Sequence, residues 1–329
     1  MKYISKWIIF NIEYSKIIIW FPGVNDTFFH NEQLNRGLFK NCNIYLLHPL
    51  DYHPGWGKKE TNPPVHTSEN VINYFDSINS SISNDIIAFK NKKIVIYSHS
   101  TGSLVAIKYL RVGKYKNIID GLILDDPFLE PKSYINRLLF SYTLYIPLFW
   151  KFKKGLITFN KDYLSQENNE SNIKKTYKKQ GYELSLKENN DYSAYILMCG
   201  IEQNYIKTQI KNKKKILKNL PVLTLLATDH DNEVLVYKNI KKYSGTISSN
   251  MKYLDVDSIH QCIMPINKED FEIIFKNINT FIDNIQVKKT KKIIKENLIY
   301  EKMHGRILVV PNLIFYILIT IISYKIFNM

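Results

Sequence analysis

Cysteine is scarce in this chain and scattered where it occurs, at Cys42, Cys199 and Cys262. An odd number of thiols far apart in sequence makes neither a disulfide framework nor a paired metal-binding motif, and it suits a reducing compartment. Acidic residues are outnumbered, 30 against 45 lysines and arginines, which gives a formal net charge of +15. A basic surface attracts nucleic acid or an anionic membrane whatever the fold beneath it. The chain has no zinc-finger spacing, no RNA-recognition aromatic signature and no helix-turn-helix, so nucleic acid is set aside and the membrane remains. His48 and His53 lack the spacing of a metal site, because Pro49 and Pro54 break any helix that would align them and no third ligand stands nearby. The apolar runs near the N-terminus are short and interrupted by Lys6, Glu13 and Lys16. They read as two strands and not as the core of a signal peptide.

The 329 residues suffice for one large α/β domain with an insertion, or for two ordinary domains. The apolar fraction of 45% is ordinary. The wealth of Ile, Lys, Asn and Tyr reflects coding bias and points to no activity.

Most of the information lies between Lys93 and Arg111. Ile94, Val95, Ile96 and Tyr97 form a continuous β-branched and aromatic run, as in a strand buried on both faces of a parallel sheet. Ser98-His99-Ser100-Thr101-Gly102 follows, and from Ser103 the apolar spacing of Leu104, Val105, Ile107 and Leu110 has helical period. Strand, tight turn and helix in that order are the context in which G-x-S-x-G exposes a serine nucleophile. Residues two before and two after the serine must be small, so that strand and helix can approach. Gly102 meets this need, and Ser98 stands where the motif has glycine. By itself the pentapeptide is equally a Ser-rich turn before an N-capped helix.

Elsewhere the pattern predicts strands at Lys16 to Phe21, Asn43 to Leu47, Ile118 to Leu124, Pro221 to Ala227 and Asn250 to Val256. Helices are expected over Thr27 to Phe39, Thr67 to Phe89, Glu233 to Tyr243 and Asn267 to Ile285. Alternation of this kind is the signature of a doubly wound parallel sheet. It lapses from Phe128 to Lys218, an aromatic-rich and Lys/Asn/Glu-rich stretch expected to form an inserted cap. Asp229 and Asp231 follow one predicted strand and His260 follows the next, where open α/β sheets place their sites. Either aspartate could be a helix cap and His260 a loop histidine, but together with Ser100 they supply three roles at three strand ends.

With these residues in hand the chain resembles the α/β-hydrolase superfamily, and within it the serine hydrolases that include lysophospholipases and monoacylglycerol lipases. The resemblance runs from about Ile17 to Ile285. It is carried by Phe21-Pro22-Gly23-Val24-Asn25-Asp26, similar to an oxyanion loop of the His-Gly-Phe-Asn-Asp kind, and by Ser98 to Gly102, Asp126-Pro127-Phe128-Leu129 and Ile259-His260. Pro22 replaces the usual histidine and Ser98 the usual glycine. The order nucleophile, acid, histidine is that of the superfamily. The resemblance implies a mostly parallel doubly wound sheet with an inserted helical cap. It also implies ester hydrolysis through an acyl-enzyme, without metal or organic cofactor. Ser100 would be the nucleophile, His260 the base, and Asp231 the orienting acid, with Asp229 as the alternative. Asp231 is preferred because it directly precedes the next helix. Backbone N–H groups of Val24 and Thr101 would hold the oxyanion. A catalytically inactive hydrolase fold serving as a membrane binding protein, and an acyltransferase, are the alternatives.

The expected organisation is a core of 1–127 and 219–286, a cap of 128–218, a basic linker of 287–306 and an anchor of 307–327. Ile307 to Phe327 is about the length that spans a bilayer and is free of charge until Lys325. The lysines that precede it place the catalytic domain on the cytosolic side of a single-pass C-terminal membrane anchor. In the cap, Tyr142 to Phe152 is apolar enough to line an acyl-chain pocket or to dip into a membrane interface. The expected substrate is a lipid or another ester.

Overall fold

The computed structural model describes residues 3–23, 30–49, 78–129, 179, 202–203, 205–228, 235 and 237–287. Seven strands form one sheet: β1 (Tyr3–Ile9), β2 (Lys16–Phe21), β3 (Cys42–Pro49), β4 (Lys93–His99), β5 (Gly121–Asp125), β6 (Val222–Ala227) and β7 (Met251–Val256). Their spatial order is β1-β3-β2-β4-β5-β6-β7. All neighbours pair in parallel except β1, which runs antiparallel to β3 at one edge. The helices are α1 (Asn31–Asn35), α2 (Ile86–Phe89), α3 (Gly102–Val112), α4 (Tyr237–Ser244) and α5 (Phe271–Asn284).

Strands β2, β4, β5 and β6 are apolar at nearly every position because both faces of the sheet are covered. Side chains alternate between two apolar layers. Ile17, Ile19 and Phe21 join Ile94, Ile96, Leu122 and Leu124 against α3, while Ile18, Trp20, Val95, Tyr97 and Ile123 face α5. Apolar residues of α5 at Phe271, Ile274, Phe275, Ile278, Phe281 and Ile282 turn one stripe inward, as a helix closing one face must. Strand β7 shows the opposite case. Its residues are mostly exposed or half-buried, as befits the other edge of the sheet.

Local departures from the sequence reading have local causes. The strand expected from Ile118 begins at Gly121, after a single 3-10 turn at Lys116–Ile118. Asp120 clasps Ile94 from both sides, its N–H donating to the carbonyl at 2.7 Å and its carboxylate accepting from the N–H at 2.9 Å. Within the expected helix of 27–39, the described part is the single turn of α1, ended by left-handed backbone at Gly37 and Phe39. The helix expected to end at Phe89 is interrupted at Asp85, whose carboxylate accepts from Tyr45 and Trp7.

Of the segment expected as a cap, a helical stretch over 205–211 lies against the core, with Ile206 buried among the apolar side chains on the α3 side. Just before it, Glu202 is fully buried and receives both branches of the Arg111 guanidinium from α3. Most of the rest of the expected cap, including Phe149 and Trp150, lies outside the described residues, as do the basic linker from 288 onward and the expected anchor at 307–327. Among the described residues no helix is long and apolar enough to cross a membrane, and no group of side chains is arranged to hold a metal ion.

Candidate active site

Parallel pairing carries the chain to a common rim. His99 of β4 is in register with Asp125 of β5, so the residues one step beyond, Ser100 and Asp126, emerge side by side at adjacent strand ends. Both have left-handed backbone, φ of 51° at Ser100 and 39° at Asp126. For a residue with a Cβ this conformation is strained, and such strain collects at functional sites. Main-chain bonds hold each turn. Ser100 N–H donates to the Asp125 carbonyl at 3.0 Å, Asp126 N–H donates to that of Leu225 at 3.0 Å, and the Ser100 carbonyl accepts from Phe128 N–H at 3.0 Å.

The elbow also explains its own sequence. A Cβ on Gly102 would stand 2.6 Å from the Phe21 carbonyl oxygen and still closer to that of Pro22, which are backbone atoms with nowhere to go. Glycine is therefore required for α3 to pass the end of β2. Ser98 is tolerated in place of glycine because its hydroxyl is absorbed. It donates to the Ile123 carbonyl at 3.2 Å and lies 3.3 Å from the Ser103 hydroxyl, with no exposure to solvent.

His260 arrives from the loop after β7 and completes the arrangement. Its Nε2 lies 3.1 Å from Ser100 Oγ, and its Nδ1 lies 2.6 Å from Asp126 Oδ2. With Nδ1–H donating to the carboxylate, Nε2 is left as the acceptor for the serine hydroxyl. Asp126 is fully buried, whereas Ser100 and His260 each keep 8% exposure, so the carboxylate is shielded while the reacting atoms stay reachable. Ser100 also sits at the N-terminal end of α3, where the helix dipole favours negative charge.

The His260 loop is built from side-chain bonds. Ser258 Oγ reaches the carbonyls of Gln261 and Met264 at 2.7 and 3.2 Å, and the Gln261 amide nitrogen meets His30 Nε2 at 2.8 Å. His30 packs on Trp20, with ring centroids 4.9 Å apart. The neighbouring imidazole of His99 has its ring 4.7 Å from that of His260.

The structure thus brings Ser100 and His260 together, with Thr101 directly after the serine at the start of α3. At Nδ1, the place expected for Asp231 or its alternative Asp229, the carboxylate among the described residues is that of Asp126, at hydrogen-bond distance. Asp229 and Asp231 lie outside the described residues, as does Val24. Asp126 was visible in the sequence as a residue at a strand's end, and it too falls between the serine and the histidine in chain order.

No family model matches the sequence, and no curated protein matches it. By structure it is similar to a soluble variant of monoglyceride lipase from Saccharomyces cerevisiae in complex with a substrate analog, at 15% identity and a TM-score of 0.57 over 87% of this chain and 92% of that one. It is also similar to a carboxylesterase of Nitrososphaera gargenis, at 13% identity and a TM-score of 0.53 over 86% and 95% of the two chains. A thermophilic esterase from Thermogutta terrifontis follows at 16% identity and a TM-score of 0.51 over 85% and 93%. Sheet order, elbow and these likenesses together identify the fold as that of the α/β-hydrolases.

Proposed function

We propose that the chain is a serine hydrolase that cleaves carboxylic esters through an acyl-enzyme. The observation that carries this reading is the continuous path Ser100 Oγ, His260 Nε2, His260 Nδ1, Asp126 Oδ2 on a strained turn. Ser100 Oγ attacks the ester carbonyl as its proton passes to Nε2, and the buried Asp126 carboxylate stabilises the imidazolium so formed. The tetrahedral oxyanion is held by N–H groups at the start of α3 and in the loop after β2, for which Thr101 and Val24 are the residues. Collapse expels the alcohol, which takes the proton from Nε2. Water then attacks the acyl-serine with His260 again as base, returning the carboxylic acid and the free hydroxyl.

We assign the substrate to the lipid class. The strongly basic chain, the apolar run Ile307 to Phe327 and the lysines at 288, 289, 291, 292 and 295 support a C-terminal membrane anchor with the catalytic domain on the cytosolic side. A monoglyceride lipase and carboxylesterases share the fold, which agrees with an ester of this kind.

The test is twofold. The full chain should react with a fluorophosphonate probe and hydrolyse a short water-soluble ester, both lost in Ser100→Ala; labelling that persists in that variant contradicts the nucleophile assignment. Removing 307–329 should release the protein from membranes and leave turnover of the soluble ester intact. A truncated chain that stays with the membrane contradicts the anchor.

A further inference from the structure

The loop bearing His260 is tied to the sheet at more places than Asp126. Two residues after the histidine, the backbone N–H of Cys262 donates to Asp125 Oδ1 at 2.8 Å. The other oxygen of that carboxylate accepts from the Tyr97 hydroxyl at 2.5 Å. Asp125 has no solvent exposure, and it is the last residue of β5, anchored by the strands on either side. Consecutive carboxylates at one strand end therefore act on consecutive parts of one loop, Asp126 on the imidazole and Asp125 on the main chain.

We propose that Asp125 is a positioning residue for His260: it fastens the loop after β7 to the end of β5 and so sets the distance from Nε2 to Ser100. The inference rests on the Ser100–His260–Asp126 reading and extends it. A misplacement of about 1 Å in such a relay costs roughly 100-fold in rate, so a loop at the edge of the sheet needs a second tie.

A carboxylate without exposure is an expensive tie. Burial raises the Asp125 carboxyl above its ordinary range, opposed in part by His99, by the Tyr97 hydroxyl and by the Cys262 N–H. The charged groups and titratable groups around it are Tyr97 and His99 from β4, Asp126 beside it, and His260 and Cys262 from the loop. A carboxyl whose folded value is raised contributes stability that is full below the ordinary carboxylate range and lost as pH rises through the folded value. Asn keeps an acceptor for Cys262 N–H without placing a carboxyl group in the buried site.

This separates positioning from mere support. In the full chain, Asp125→Asn, which keeps the acceptor for Cys262 N–H, should stay within about threefold of the unaltered protein in kcat on a short soluble ester at unchanged KM. Asp125→Ala, which also removes the acceptor, should lose about 100-fold in kcat. In a His260→Ala background the same change should add less than about twofold, because there is no longer a base to position. The proposal is overturned if Asp125→Ala turns over normally, or if it costs as much without His260 as with it. Should Asp125→Ala fail to fold, Asp125→Leu, which fills the same space without an acceptor, carries the test with the same expected loss. An unaltered chain that resists the fluorophosphonate probe overturns the relay and this extension together; a chain that labels but ignores Asp125→Ala overturns the extension alone.

Discussion

The two halves of the candidate site are held in different ways. Ser100 leaves the middle of a parallel sheet, and its turn is fixed by main-chain bonds to Asp125 at the end of β5 and from Phe128, the residue after Pro127, and by a helix packed so closely that Gly102 can carry no side chain. His260 leaves the edge strand β7, whose residues are mostly exposed or half-buried, and its loop is held by side chains from Ser258, Asp125, Asp126 and His30. Backbone geometry places the nucleophile and a set of polar bonds places the base. The first should therefore fail abruptly when its steric requirement is broken, and the second by degrees as its bonds are removed.

Substitutions can sharpen or break this contrast. The largest effect is expected for Ser100→Ala, which should remove about six orders of magnitude from kcat and leave the melting temperature nearly unchanged, because only a hydroxyl is lost. Gly102→Ala comes next. Its methyl meets the Phe21 and Pro22 carbonyls, so the loop after β2 must shift. The expected outcome is a loss of about 100-fold in kcat together with about 1–3 kcal/mol of stability, read by turnover and denaturant titration. On the other half, Ser258→Ala leaves two loop carbonyls without their shared donor and should cost about 1–3 kcal/mol, with a several-fold fall in kcat. Ser98→Gly is the smallest. It removes a satisfied hydroxyl from a position the elbow motif gives to glycine, and stability should change by about 1 kcal/mol or less, with turnover unaltered. If Ser258→Ala were as costly to turnover as Gly102→Ala, the distinction between a sterically placed nucleophile and a bond-placed base would not hold.

The same contrast explains how far the sequence could be read. Runs such as Ile17-Ile18-Ile19-Trp20-Phe21 and Ile94 to Tyr97 are apolar on both faces, and that alone marks the centre of a parallel sheet. Small residues around Ser100, followed at once by helical spacing, made the elbow legible for the same local reason. His260 was legible only as the histidine after the last strand. The acid was not, because Asp126, Asp229 and Asp231 all follow a strand and all lie between Ser100 and His260 in the chain. Order along the chain cannot choose among them. What chooses is that β5 lies beside β4, in a register that sets His99 against Asp125 and so delivers Asp126 to the rim next to Ser100. The Asp125–Cys262 tie was hidden for the same reason, since it joins residues brought together only by the sheet.

The central claim is that Asp126 completes the relay through His260 to Ser100. Turnover of a short ester by Asp126→Asn and Asp231→Asn, measured side by side on folded protein, tests it most directly. An amide at Asp126 offers the wrong group to Nδ1–H and cannot stabilise the imidazolium, so kcat should fall by about 10⁴-fold, while Asp231→Asn should stay within about threefold of the unaltered chain. The reverse pattern, with Asp231→Asn inactive and Asp126→Asn active, would contradict the account.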